Sequence, residues 1–261
     1  MAHLGVVTCQ ILELEFAYIL SNDPEISEIW IVHDPFSAEL IEILEKNGSK
    51  RIHRISHVAE FESVEKKGLA VLIMVLELGL HSNIPVLTEG IQTAVKKIAP
   101  HVDAILLGYG LCGNALKDPA RLFRDVSIPV MLPTQNKEPV DDRVGLIIGG
   151  RENYYEEQCR CAGTMFMNAG FSRHWDKILS MDIPKKLHHK KERILNRLMG
   201  SYERSLLLST PVLDENELLE NTKEFNKQFG LRAETRNGTL FLLENAWEKV
   251  KNAAEDNRIN P

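Results

Sequence analysis

Two thiols and one imidazole draw attention because each lies just past an apolar run. Cys9 follows Leu4–Thr8, His81 follows Leu69–Leu76, and Cys112 follows Asp103–Leu107. If the three runs are strands of one parallel sheet, all three side chains leave it at the same edge, where ligand sites of open α/β sheets lie. Thiolate and imidazole donors together suit zinc, whose catalytic sites keep one position for water or substrate. The expected metal ligands are therefore Cys9, His81 and Cys112, with Glu13 or Glu15 supplying an oxygen or orienting a ligand.

Cys112 also sits inside Gly108-Tyr-Gly110-Leu-Cys-Gly113, a G-x-G-x-x-G match placed after an apolar strand and ahead of an expected helix. Glycines in such a loop let the backbone approach a phosphate while helix N-terminal amides point at it. Gly108, Gly110, Gly113 and Asn114 are accordingly expected to hold a small anion or cofactor, and a nearby helix dipole would favour the Cys112 thiolate. A dinucleotide site also needs an acid at the end of the next strand, which here reads Leu132-Pro-Thr-Gln135. A tight structural turn, with Cys112 as apolar filler, stays open beside the anion loop.

Other arrangements are weaker. A hydrolase nucleophile elbow needs a second glycine where Asn114 stands, although Asp141 or Asp142 and then His174 follow in triad order. Gly149-Gly150-Arg151 repeats the strand, glycine, helix design, so Arg151 is expected to clamp a carboxylate or phosphate, with Asp142 as general base. Cys159-Arg-Cys161 is a lone C-x-C pair that needs donors from elsewhere. His188 and His189 are adjacent, so on a helix they diverge.

The elements that must position these groups alternate. Strands are expected at Leu4–Thr8, Ile29–Val32, Arg51–Ile55, Leu69–Leu76, Asp103–Leu107, Ile128–Leu132 and Val144–Ile148. Helices are expected at Gln10–Leu20, Phe36–Asn47, Pro85–Ile98 and Arg151–Gln158, with a polar one reaching Lys67. That rhythm predicts an α/β fold, Rossmann-like layers on a largely parallel sheet. It continues through helices at Ser172–Leu179, Pro184–Leu198 and Glu215–Phe229 and strands at Ser205–Leu208, Leu231–Thr235 and Thr239–Leu243. The expected division is an α/β domain at 1–160, a C-terminal α/β portion at 161–252 that completes or flanks the core, and a fraying tail at 253–261.

Composition narrows the partners. The chain has 261 residues and a formal charge of -6, with 44% hydrophobic and 26% charged residues, a globular balance. No basic stripe offers itself to a phosphate backbone, so nucleic acid is not expected. The longest apolar run, Leu69 to Leu80, contains Glu77 and falls short of the roughly 18–20 residues of a membrane span. With no basic leader ahead of Glu13 and Glu15 and only four cysteines, a cytoplasmic protein with reduced thiols is expected.

Taken together, five segments resemble domain of unknown function 1638, a family of archaea and bacteria. They are the first strand with Cys9 and Glu15, Leu80-His-Ser-Asn-Ile-Pro85, Ile105-Leu-Leu-Gly-Tyr-Gly-Leu-Cys-Gly-Asn114, Gly149-Gly-Arg-Glu-Asn-Tyr154 and Gly163-Thr-Met-Phe. The stretch Tyr202–Leu243 is similar in pattern. The resemblance implies a His-Asp-Cys ahead of Val144, where this chain reads Asp141-Asp142-Arg143. It also implies corrinoid-dependent methyl transfer, for which a zinc-bound thiolate suits transfer to a thiol. Two functions are thus expected. One is a zinc- and thiolate-dependent enzyme acting on a small anionic or thiol metabolite. The other is a non-catalytic accessory protein that holds an anion or cofactor and docks on a methyltransferase or corrinoid protein.

Overall fold

The computed structural model describes residues 2–48, 50–63, 67–181 and 183–259. The chain opens with β1 (Ala2–Cys9), α1 (Glu13–Asn22), β2 (Ile26–Val32), α2 (Ala38–Asn47), β3 (Arg51–Ile55), β4 (Leu69–Leu76), α3 (Ile84–Ile98) and β5 (Ala104–Gly108). Short elements follow: α4 (Pro119–Leu122), β6 (Val130–Met131), β7 (Thr134–Gln135), β8 (Glu138–Pro139) and α5 (Arg143–Ile148). Then come α6 (Arg151–Arg160), β9 (Thr164–Met167), α7 (Ala169–Ser180), α8 (Lys191–Met199), β10 (Arg204–Ser209), α9 (Glu215–Phe229), β11 (Arg232–Asn237) and α10 (Phe241–Ile259).

Six strands form one parallel sheet in the order β3-β2-β4-β1-β5-β6. The sheet is α/β with helices on both faces, the Rossmann-like layering the alternating pattern predicts. Its two faces can be read from strand period: Leu4 and Val6 of β1 belong to one core with α1, α2 and α10, whereas Val7 and Cys9 belong to the other with α3. From β1 the chain crosses to one side, reaching β2, and from β4 to the other, reaching β5. Register sets Cys9 opposite Leu76 and Thr8 opposite Gly108, so the exits of β4, β1 and β5 lie side by side where the connections diverge.

A second parallel sheet, β11-β10-β9, shares that core. Phe166, Leu206 and Leu208 pack into the α1 side of the first sheet, and Met167 and Leu207 face α7 and α9. Arg204 ties this lobe internally. It is buried and donates to Glu157 Oε2 at 2.7 Å, to Thr164 Oγ1 at 2.8 Å and to Glu234 Oε2 at 2.5 Å.

Several expectations are corrected. Val144–Ile148 is helical, because Asp142 Oδ1 caps it by accepting from the Val144 and Gly145 amides and Gly149 ends it with a left-handed φ of 90°. A short apolar run does not by its period tell a buried helix from a strand. The strand expected at Ile128–Leu132 shrinks to β6, and Thr239–Leu243 leads into α10 instead of forming a strand, with Thr239 Oγ1 accepting from the Phe241 amide. Past Ile55 the described residues hold a single turn at Val58–Glu60, and the part of the expected polar helix at 64–66 lies outside them. From Ala253 the described chain is helical: α10 continues to Ile259, its buried face, through Val250 and Ala254, packs on the first sheet, and Asn257 Nδ2 donates to the Asp103 carbonyl. Among the described residues no helix is long and apolar enough to cross a membrane.

Truncating Arg204 removes one partner of a buried charge set. Arg204→Ala is expected to lower unfolding free energy in urea by about 3 kcal/mol, and a loss under about 1 kcal/mol would show that the network relaxes around the gap.

Candidate functional site

Cys9, His81 and Cys112 do line one cavity, about 460 Å³ in volume, at the carboxyl edge of the first sheet. Each reaches it by a different route. Cys9 is the last residue of β1, His81 lies in the turn Leu78–Ser82 that carries β4 into α3, and Cys112 lies in the loop after β5. Gly108, Gly110, Gly113 and Asp142 line the same space. The volume suits an ion with a small metabolite rather than a dinucleotide.

The glycine loop works differently from the expected phosphate cradle. No helix follows it at once; residues 112–116 form turns, and the next helix is α4. A Cβ on Gly108 would fall 2.3 Å from Phe16 Cε2 and 2.5 Å from Thr8 Oγ1, and one on Gly110 would fall 2.6 Å from the Val140 carbonyl oxygen. The missing side chains admit protein. The segment 140–142 docks on the loop, with the Leu111 amide donating to the Val140 carbonyl at 2.7 Å and the Cys112 amide to the Asp141 carbonyl at 2.9 Å. Asn114 has a left-handed φ of 71° and is exposed, away from the cavity lining.

Cys112 has a φ of 45°, the left-handed region, where a residue with a Cβ costs roughly 1–2 kcal/mol. Its thiol is not activated: burial pushes it up to about 11, and burial likewise pushes Cys9 up to about 12. The helix dipole expected to favour thiolate is absent because the chain turns where a helix was expected. His81 moves the other way, lowered to about 4 by burial and then by the charge of Arg143, so its ring is neutral and its buried Nε2 has no hydrogen-bond partner.

Two lining residues were missed. Tyr109 is fully buried, with its hydroxyl unpartnered and burial holding its pKa well above the usual value. Arg143 brings a guanidinium to the cavity, 4.8 Å over the Phe171 ring, with a buried Nε that lacks a partner. The signal for Arg143 was present, since it stands where the resemblance expects cysteine. Tyr109 carried none beyond its place in the glycine motif.

Arg151 is not the expected clamp. It grips Asp141 through Nε at 2.9 Å and Nη2 at 2.7 Å, its side chain is 46% exposed, and it is absent from the cavity lining. Asp142 lines the cavity, but its Oδ1 caps α5 and its Oδ2 lies 3.4 Å from the Tyr154 hydroxyl. His174 completes no triad with Cys112; it lies between Glu13 and Glu39. Cys159 and Cys161, at the end of α6, also lie outside the lining.

Gly110→Ala is expected to destabilise the protein by about 2 kcal/mol in urea unfolding, since the 140–142 segment must back away. In metal-free protein at pH 8, iodoacetamide is expected to label exposed Cys159 well before Cys9 and Cys112, whose thiolate fractions are roughly a thousandth or less. Peptide mapping by mass spectrometry reads the order, and early labelling of Cys112 would mean an activated thiol.

A comparison with curated proteins finds no match. A family model described as protein of unknown function (DUF1638) matches residues 75–247, a stretch that carries His81, Cys112 and Arg143 and leaves Cys9 outside. That span is more than half of the chain, and the protein belongs to this family.

Proposed function

We propose that the cavity binds zinc through Cys9, His81 and Cys112 and serves chemistry on a small anionic or thiol metabolite, in corrinoid-linked methyl transfer. The observation that carries this reading is the meeting of two thiols and an unpartnered neutral imidazole on one cavity, from three separate segments. Their chemistry fits the ion. A neutral ring offers its lone pair, and buried thiols lose their protons when a cation replaces the missing solvation. Among the described residues the three-donor set already gathered within 4.8 Å lies elsewhere, at Glu13, Glu39 and His174, so zinc in the cavity requires Cys9, His81 and Cys112 to draw closer together.

When bound, zinc supplies a Lewis acid that keeps a substrate sulfur or oxygen anionic near neutral pH. The chain supplies the rest. Arg143, steadied by the face of Phe171, offers the unpartnered Nε to an anionic group of the substrate. The Tyr109 hydroxyl offers a second hydrogen bond in the same cavity. Ile11, Leu12 and Ile84 give the cavity an apolar wall beside the donors.

One observation favours the accessory reading. Asp142, the carboxylate on the cavity, is committed to the amides of α5, which leaves it a poor general base and suits a protein that holds a metabolite or cofactor for a methyltransferase partner.

Elemental mass spectrometry of protein purified without oxygen or chelators is expected to find about one cavity zinc per chain, lost in Cys112→Ser and His81→Ala. Folded wild-type protein with no metal, unable to take up added zinc, would remove the proposal. Methyl transfer to a thiol by the loaded protein supports the enzyme, and stoichiometric binding to a corrinoid protein without turnover supports the accessory role.

A further inference from the structure

A second group of donors lies at the seam between the two lobes. Glu13 is the first residue of α1, Glu39 lies in the first turn of α2, and His174 is in the middle of α7. His174 Nε2 is 3.0 Å from Glu39 Oε2 and 3.4 Å from Glu13 Oε1, and the ligand atoms of all three lie within 4.8 Å of one another. The side chain of Glu13 is fully buried, and its Oε2 has no hydrogen-bond partner.

The proton is a poor occupant for this arrangement. His174 Nε2 and both oxygens of Glu13 are buried with no hydrogen-bond partner, so the contacts at 3.0 and 3.4 Å are charge contacts rather than formed hydrogen bonds. A divalent ion engages all three donors at once, at about 2.0–2.2 Å each. Access is open, because Glu39 and His174 are 31% and 21% exposed and Glu39 borders a groove of about 700 Å³ shared with Arg173, Glu42 and Lys46. The Arg173 guanidinium donates to Glu39 Oε1 at 3.1 Å and fixes that carboxylate with Oε2 toward the histidine.

We propose that Glu13, Glu39 and His174 form a second metal site, distinct from the sulfur-lined cavity, that takes a divalent cation of harder character and pins α7 to α1 and α2. Two carboxylates and one imidazole suit manganese or iron, whereas Cys9 and Cys112 suit softer ions. Because the donors come from both lobes, occupancy couples to the stability of the seam.

Mn²⁺ is the probe. Electron paramagnetic resonance titration of full-length wild-type protein is expected to show one tight Mn²⁺ per chain, and a hundredfold excess over Kd is expected to raise Tm by about 5 °C. Glu39→Gln, which keeps size and shape, and His174→Ala are each expected to weaken Mn²⁺ binding by about tenfold or more. Cys112→Ser is expected to leave it unchanged, which separates this site from the cavity. A folded wild type that binds no Mn²⁺, variants that bind it as tightly as wild type, or loss in Cys112→Ser alone would each overturn the assignment.

Discussion

Everything at the functional edge depends on how the chain leaves β1. The four residues from Cys9 to Leu12 are buried, and they are held there by the second lobe. Asn168 Nδ2 donates to the Ile11 carbonyl at 3.1 Å and to Glu15 Oε1 at 3.0 Å, and Gly170 brings α7 so close that a Cβ would sit 2.0 Å from the same carbonyl oxygen. This contact sets Cys9 on the cavity, starts α1 at Glu13 and brings α7, with His174, alongside. A buried carbonyl without such a donor would cost on the order of 1–3 kcal/mol. The lobes are therefore joined by backbone satisfaction as much as by apolar burial.

The electrostatics of the edge follow from that burial. Glu13 and Glu15 are both raised to about 7 by desolvation, Glu39 is held near 2 by His174 and Arg173, and His174 is raised to about 9 between its two carboxylates. In the cavity the thiols rise and the imidazole falls, again because charge is disfavoured there. The two neighbourhoods thus differ in kind. One keeps its donors neutral and soft; the other is oxygen-rich, with Glu39 and His174 ionised beside a buried Glu13 raised to about 7.

Much of the fold was legible because period and punctuation agree. Leu69–Leu76 reads as a strand covered on both faces, and Gly48 and Gly230 end helices in the left-handed cap that the sequence marks. The meeting of Cys9, His81 and Cys112 was legible for the same reason, since parallel strands export their carboxyl ends to one edge. Val144–Ile148 was misread because its length and apolarity fit a strand, and the deciding fact is the Asp142 side chain folding back onto two amides. What packs into the glycine loop was not legible, because G-x-G-x-x-G says only that something approaches closely. Here that something is Phe16 and Thr8 at Gly108 and residues 140–142 at Gly110, far away in sequence, and no local spacing encodes such partners. Glu39 and His174 were invisible as a pair for the same reason, lying on helices of different lobes.

The last helix bears on how the chain reaches this structure. α10 packs against β5 and β1, Trp247 Nε1 donates to Asp23 Oδ2 and Lys251 pairs with Asp23 at 3.0 Å, so a segment more than 200 residues onward closes over β1 and the end of α1. During synthesis β1 emerges well ahead of α10, which covers it on that face. Contacts of such long sequence separation slow folding, because loop-closure entropy is spent before they form. The nascent chain carries an uncovered apolar patch on its central sheet until α10 has been made, which makes it a substrate for holding chaperones and makes loss of α10 a route to aggregation rather than to a smaller folded protein.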